Sequence, residues 1–295
     1  MTRPARQQRE KPQSKTQPPQ HQERQPGRQA EMTPQPLTIR DNYKGSGKLK
    51  NKVAFISGAD SGIGRAVAVH FAREGADVAI GYLEESEDAQ ETLRLVNQEG
   101  KSGLLVPGDC RSREFCREAI KHTLGAFGRL DILVNNLAVQ YIEDEFENID
   151  EAQLREVFET NIFAYMFLTQ AALPYLPEGG VILNTSSVTA FRGHRKLMDY
   201  SATKGAIQSL TFSLAQSLAE RRIRVNGVAP GPIWTPLIPA SFSAEETAEF
   251  GSNTLMKRAG QPAEVAPAYV FLASEDASYI TGQFIHVNGG SFIAA

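Results

Sequence analysis

The sequence predicts an α/β fold: a doubly wound parallel sheet of about seven strands, with helices on both faces, in a single domain. Three observations predict it. From Lys52 onward, short apolar runs alternate with longer helical segments. The runs are continuous and β-branched, which marks strands buried on both faces, as in a parallel sheet. A glycine-rich turn joins the first run to the first helix. Neither an internal repeat nor a second domain is visible.

In chain order, the first strand is expected at 52–57 (KVAFIS), and the glycine turn leads it into a helix at 62–74. A strand at 77–82 (DVAIGY) and a helix at 86–99 follow, then a strand at 103–106 (GLLV) and a helix at 112–127. The next strand, 131–135 (DILVN), precedes a long helix at 151–173. Strand 180–185 (GVILNT) precedes another long helix at 199–220. Strand 223–228 (IRVNGV), helix 263–273 and strand 284–287 (FIHV) complete the set. Right-handed crossovers between parallel strands put the helices on both faces.

The chain has 295 residues, 41% hydrophobic and 22% charged, with a formal net charge of −3. That length can bury a large core. The charge is unevenly placed: residues 1–50 hold 11 Lys and Arg against 4 Asp and Glu, while the remainder holds 20 against 30. An acidic body argues against a nucleic-acid-binding domain. No run reaches the roughly 18–20 apolar residues of a membrane span, and no apolar stretch near the start reads as a secretory signal. Two cysteines, Cys110 and Cys116, cannot build a disulfide framework, and no Cys/His cluster has zinc spacing. A cytoplasmic location, no metal and a small-molecule partner are the expectations. Residues 1–40 hold nine Gln, seven Pro and six hydrophobic residues. Residues 1–45 are therefore expected to be a disordered basic tail, either an arm for an anionic partner or a solvated end. The folded domain is expected at 46–295.

The first strand runs into Ser57-Gly58-Ala59-Asp60-Ser61-Gly62-Ile63-Gly64. A strand, a glycine turn and a helix together present unpaired N–H groups and a partial positive charge where a pyrophosphate can sit. The spacing is G-x-x-x-G-x-G, a variant of the dinucleotide fingerprint with the same physics.

The chain resembles the short-chain dehydrogenase/reductase family in its single-domain, Rossmann-like form, over about 51–290. SGADSGIG looks like the family's TGxxxGxG loop, with Ser57 where Thr is usual. Asn135-Asn136-Leu137-Ala138 looks like NNAG, with Leu137 and Ala138 departing from it. Tyr200 and Lys204 match YxxxK, Ser187 stands 13 residues before the tyrosine, and Asn161 in ETNIFA matches the family asparagine. Pro230-Gly231 followed by Thr235 matches the segment that closes on a nicotinamide. The arm, GADSGIGRAVA and HVNGG resemble the glucose/ribitol dehydrogenase-like subfamily. The resemblance implies an NAD(P)-binding catalytic domain, a homodimer or homotetramer built on helices 151–173 and 199–220, and a C-terminal segment 280–295 that completes a tetramer.

These residues suit proton transfer at an alcohol or carbonyl. A free phenol, with a pKa near 10, is a poor base at neutral pH. Lys204 lies one helical turn from Tyr200, and an ammonium there favours phenolate. Ser187 follows strand 180–185 at the carboxyl edge of the sheet, where its hydroxyl can donate to a substrate oxygen. Ser186 is the rival for that role. The resemblance gives Lys204 a bond to the nicotinamide ribose and Asn161 a relay water; Asn161 otherwise reads as a buried structural amide.

The expected cofactor-binding set is Gly58, Asp60, Ser61, Gly62, Ile63, Gly64, Tyr82, Asp109, Cys110, Asn136, Ala138, Tyr200, Lys204, Pro230, Gly231, Ile233 and Thr235. Tyr82 holds the selector position after the second strand, and Glu84 and Glu85 beside it would repel a phosphate, so the balance favours NAD over NADP. Asp109 reads as an acceptor for the adenine amino group or as the residue opening helix 112–127. Ser187, Gln140 and Tyr200 are the substrate-side residues. Arg192, His194, Arg195 and Lys196 make one pocket loop basic, Trp234 reads as pocket lining or as packing, and residues 236–256 read as a mobile lid. The expected function is oxidoreduction of a polar alcohol or carbonyl, a sugar or polyol. The alternatives are reduction of reactive aldehydes or quinones in stress defence, or nucleotide sensing without catalysis.

Overall fold

The computed structural model describes residues 16–293. Residues 1–15 of the expected tail and the last two residues of the C-terminal segment lie outside the described residues.

Seven parallel strands form one sheet in the order β3-β2-β1-β4-β5-β6-β7. They are β1 (Val53–Ser57), β2 (Asp77–Tyr82), β3 (Gly103–Pro107), β4 (Ile132–Asn135), β5 (Val181–Thr185), β6 (Arg224–Pro230) and β7 (Phe284–Val287). Alternate side chains feed separate cores because a strand turns successive residues to opposite faces. Ala54, Ile56, Ile132, Val134, Val181 and Leu183 pack into one core, while Phe55, Leu133 and Ile182 pack into the other. The first core is covered by α1 (Gly62–Arg73), α2 (Ser86–Gln98) and α9 (Pro262–Ala273); the second by α3 (Arg113–Phe127), α5 (Ala164–Ala172) and α7 (Met198–Ser217). Each fully buried Val, Leu, Ile or Phe contributes roughly 1.5–3 kcal/mol of hydrophobic stabilisation. The chain steps outward from β1 to β3, then returns to β4 on the other side of β1. That reversal leaves a crevice beyond the carboxyl ends of β1 and β4.

All seven expected strands are present. The expected helix 151–173 is one rod in three pieces: α4 (Glu151–Phe158), a π-helical turn (Glu159–Phe163) and α5. Two short helices were not foreseen, α6 (Thr189–Arg192) and α8 (Ala244–Glu249). The latter sits in the expected lid, with Ser243 and Glu246 forming a capping box.

The reading of 1–45 as a disordered tail set apart from the domain is corrected from Thr16 on. Composition shows few apolar residues there, but those present and several glutamines have specific seats. Met32 packs with Trp234, Ile238 and Ala259. Trp234, fully buried, donates its indole N–H to the Pro34 carbonyl at 2.9 Å, so it is packing and not pocket lining. Leu37 donates its N–H to Gln261 and accepts from the Ala263 N–H, each at 2.9 Å. No described helix is long and apolar enough to cross a membrane. Among the described residues no cluster of three His, Cys, Asp or Glu could hold a metal ion.

Candidate active site

A cleft of about 510 Å³ lies at the reversal point of the sheet. It is lined by the glycine loop, Tyr82, Asp109, Cys110, Asn136, Ala138, Gln140, Ser187, Tyr200, Lys204 and the segment from Pro230 to Thr235. Nearly every expected site residue thus meets in one place. Gly64 and Asn161 are not on that wall; Gly64 acts from behind it.

The loop is shaped by contacts that exclude side chains. Gly58 has φ +62°, and a Cβ there would sit 3.0 Å from the Leu137 Cα. A Cβ on Gly64 would lie 1.9 Å from the Gly58 carbonyl oxygen, so only glycine lets the helix start pack this closely. Asn136 holds the loop from the other side: its amide donates to Gly58 O at 3.0 Å, and its N–H donates to the Ser57 hydroxyl at 3.0 Å. Asn136 therefore shapes the cradle with its side-chain N–H groups turned to the loop. Leu137, the departure from the family stretch, presents its backbone to Gly58 and accepts from the Tyr165 hydroxyl at 3.1 Å. A close-packed glycine turn at a helix N-terminus, opening on a cleft at the sheet's reversal, fits a dinucleotide pyrophosphate.

On the opposite wall, α7 carries Tyr200 and Lys204, and β5 leads to Ser187. Lys204 is 1% exposed and donates to the Thr185 carbonyl at 3.0 Å. Its Nζ lies 5.3 Å from the Tyr200 ring centroid. Ser187 faces Tyr200 in the cleft, and its hydroxyl accepts the Thr189 N–H at 3.1 Å. Ser186 instead donates to the Lys204 carbonyl at 3.0 Å, so it braces the helix and is no rival to Ser187.

The electrostatics differ from expectation. Burial pushes Tyr200 up to about 12, with the nearby Ser187 hydroxyl the opposing influence. Burial also pushes Lys204 down to about 7. The sequence suggests an ammonium that draws the phenol down. Burial instead drives both groups toward neutrality, and a neutral amine exerts little pull.

Asn161 sits in the π-helical turn, a geometry common at functional sites. Its amide accepts the Val139 N–H at 2.9 Å and donates to the Val139 carbonyl at 2.9 Å and to Thr203 Oγ1 at 3.2 Å. Both amide hydrogens are spent on protein, which favours the reading as a buried structural amide over the side chain as a water holder. Sequence periodicity could not show the π turn.

Asp109 bonds Arg111 through both carboxylate oxygens; burial alone would raise its pKa, but these bonds hold it below the usual range. Ser112, not Asp109, caps α3. Cys110 is buried, and its thiol is pushed up by the Cys116 contact and by burial, which makes it unreactive. Lys196 from the basic loop pairs with Asp144 at 2.8 Å and with Glu246 of α8 at 3.3 Å, tying that loop to α8.

Sequence reasoning missed the strap made by residues 16–40, which brings Gln25, Pro26 and Gly27 to the cleft wall. Gln25 donates to the Gln140 carbonyl and accepts from its N–H at 3.2 Å. The unusual number of glutamines was the available signal.

Comparison with known proteins agrees with this geometry. A profile of the family described as enoyl-(acyl carrier protein) reductase matches residues 58–291. The chain is 50% identical over 282 residues to the glucose and ribitol dehydrogenase of Daucus carota, covering 94% of this chain and 97% of that one. It is 52% identical over 283 residues to the chloroplastic NADPH-dependent aldehyde reductase 1 of Arabidopsis thaliana, covering 94% and 98%. A solved short-chain dehydrogenase of Burkholderia cenocepacia J2315, in complex with NADP, has a TM-score of 0.78 at 30% identity, covering 82% of this chain and 98% of that one. With the sheet order, the glycine cradle and the Tyr–Lys–Ser wall already in view, the chain belongs to the short-chain dehydrogenase/reductase family and is an NAD(P)-dependent oxidoreductase.

Proposed function

We propose that the protein interconverts a polar alcohol and its carbonyl, with Tyr200 as the acid–base, Ser187 as the donor to the substrate oxygen, and NAD preferred to NADP. The observation that carries this is the meeting of Tyr200, Ser187 and Lys204 in the same cleft as the glycine cradle. When bound, the nicotinamide dinucleotide supplies or accepts the hydride. The protein's own work is the proton. Tyr200 gives a proton to the substrate oxygen in reduction and takes it back in oxidation, a role worth roughly 10²–10⁴-fold. Ser187, beside Tyr200 in the cleft, donates to the same oxygen as charge develops there. A phenol held near 12 is a ready donor at neutral pH and a reluctant base, so oxidation speeds up with rising pH. Lys204 is the cation of the wall, with a charge that responds to pH near neutrality. Asn161 positions Val139 and Thr203 beneath the site.

Gln140, Arg192, His194 and Arg195 line the substrate side, which supports a hydroxylated substrate such as a sugar or polyol. The relative named glucose and ribitol dehydrogenase points the same way. The aldehyde reductase relative, together with a tyrosine poised to donate, supports a second reading: reduction of reactive aldehydes. Glu84 and Glu85 after β2 and the buried Asp60 support NAD. Leu154, Phe163, Met166 and Phe212, all exposed on the helices expected at a subunit interface, support a homo-oligomer. The test is a panel of sugars, polyols, aldehydes and ketones followed at the nicotinamide absorbance with each coenzyme. Activity on aldehydes with none on polyols would decide for the second reading, and an inert panel would sink both.

A further inference from the structure

The strap crosses the mouth of the cleft and touches both sides of it. Thr16 donates its N–H to the Ala248 carbonyl at 2.7 Å, and Gln22 donates to the Pro239 carbonyl at 2.7 Å, so the strap first runs along the lid. Farther on, the Gln29 amide oxygen accepts the Gly62 N–H at 2.7 Å. That bond caps α1, whose own N-cap residue, Ser61, makes no side-chain cap. The Gln29 N–H donates to Asp88 at 2.6 Å. Arg40 ends the run by pairing with Glu264 at 2.8 Å.

Arg24 lies between the lid contacts and the glycine-loop contact. Its guanidinium stands 2.5 Å from a carboxylate oxygen of Glu84 and 2.5 Å from one of Glu85. Those two residues follow β2, and Glu85 lines the cleft with Tyr82 and Asp60. The Glu85 side chain is 2% exposed and the Arg24 side chain 33%. The neighbouring cations are already engaged: Arg65 with Asp88 at 2.9 Å, Arg111 with Asp109 at 2.8 Å. Neither the glycine loop nor the end of β2 carries a basic residue in this sequence. The strap therefore brings the positive charge that the fold's own selector positions lack.

We propose that Arg24 is a coenzyme-selecting residue supplied by the strap and masked by Glu84 and Glu85. Paired, the three leave an acidic excess that suits the adenosine ribose diol. Released from the glutamates, the guanidinium is a bidentate donor matched to a 2′-phosphate. This rests on the NAD preference proposed above, and it names how that preference is set.

The test compares four full-length proteins: wild type, Arg24→Gln, the double variant Glu84→Gln/Glu85→Gln, and the triple variant. For each, the dissociation constants of NAD and NADP are measured by fluorescence without substrate, so no assumption about substrate enters. The double variant is expected to improve NADP relative to NAD at least tenfold. The triple variant is expected to lose most of that gain, and Arg24→Gln alone to weaken NADP relative to NAD about threefold or more. Equal gains in the double and triple variants would overturn the proposal, because the glutamates would then act without Arg24. An Arg24→Gln protein that weakens both coenzymes equally would also overturn it, showing a strap that only holds the cleft shut. A wild type that prefers NADP would remove the NAD reading instead, while the dependence on Arg24 is still read from the same ratios.

Discussion

The two walls of the cleft treat charge in opposite ways. On the glycine-loop wall the arginines are paired off: Arg65 with Asp88, Arg111 with Asp109, Arg24 with two glutamates. Asp60, buried there beside Glu85 and Asp88, is raised to about 6, first by burial. On the β5–α7 wall, Lys204 has no carboxylate partner among the described residues and rests on the Thr185 carbonyl and the rings of Tyr165 and Tyr200. A wall that binds gains from compensated charge, because it need not change. A wall that moves protons keeps its groups dry and uncompensated, so that small changes in surroundings shift their protonation. The second arrangement costs stability, and the first does not to the same degree.

The largest test of this contrast is Tyr200→Phe. Turnover should fall about 10³-fold while coenzyme dissociation constants stay within about threefold, because only the reactive wall is altered. Steady-state rates and coenzyme titration check it, and a variant that keeps its turnover would end the assignment.

Next comes Lys204→Met. The folded pKa of Lys204, about 7, lies below its unfolded value of 10.5. Between those values the unfolded chain binds the extra proton, so wild-type stability rises as pH climbs from about 7 toward 10.5. The methionine variant should lack that rise and be more stable at pH 7, by on the order of 3 kcal/mol, while losing activity. Urea unfolding at pH 7 and pH 9.5 measures it, and a less stable variant would show the lysine to be compensated after all.

His70, on α1 behind the binding wall, gives a smaller effect at acid pH. It is 1% exposed, its Nδ1 bonds the Ala66 carbonyl at 2.7 Å, and burial brings its pKa down to about 4. Its unfolded pKa is higher, so stability is lost as pH falls from about 6.5 to about 4, by roughly 2 kcal/mol. His70→Leu should flatten that part of the melting-temperature profile.

The smallest is Asn161→Leu, which strands the Val139 N–H and carbonyl in a buried place at a cost of about 1–2 kcal/mol. If Asn161 positions the site, kcat should fall while coenzyme affinity holds. Unchanged kcat alongside lost stability would make the residue structural only.

The contrast also explains what was legible in the sequence. The strands announced themselves as apolar runs, and the glycine cradle, Tyr200, Lys204 and Ser187 by motif and order. Their electrostatics could not be read, because sequence shows that Lys204 is one turn from Tyr200 but not that both are buried. The π turn at Asn161 was hidden inside an uninterrupted helical pattern. The strap was misjudged for a related reason. Composition counts how many apolar residues a segment has, whereas Gln29, Met32 and Arg24 are held by single complementary seats far along the chain.

Those seats set an order of events during synthesis. The strap leaves the ribosome well before Trp234, Ala248, Gln261 and Glu264, on which it lies. A nascent chain halted before residue 264 would have its glycine loop and its tyrosine but no place to anchor Arg40. Closure over the mouth of the cleft therefore waits until the chain has been made at least through residue 264.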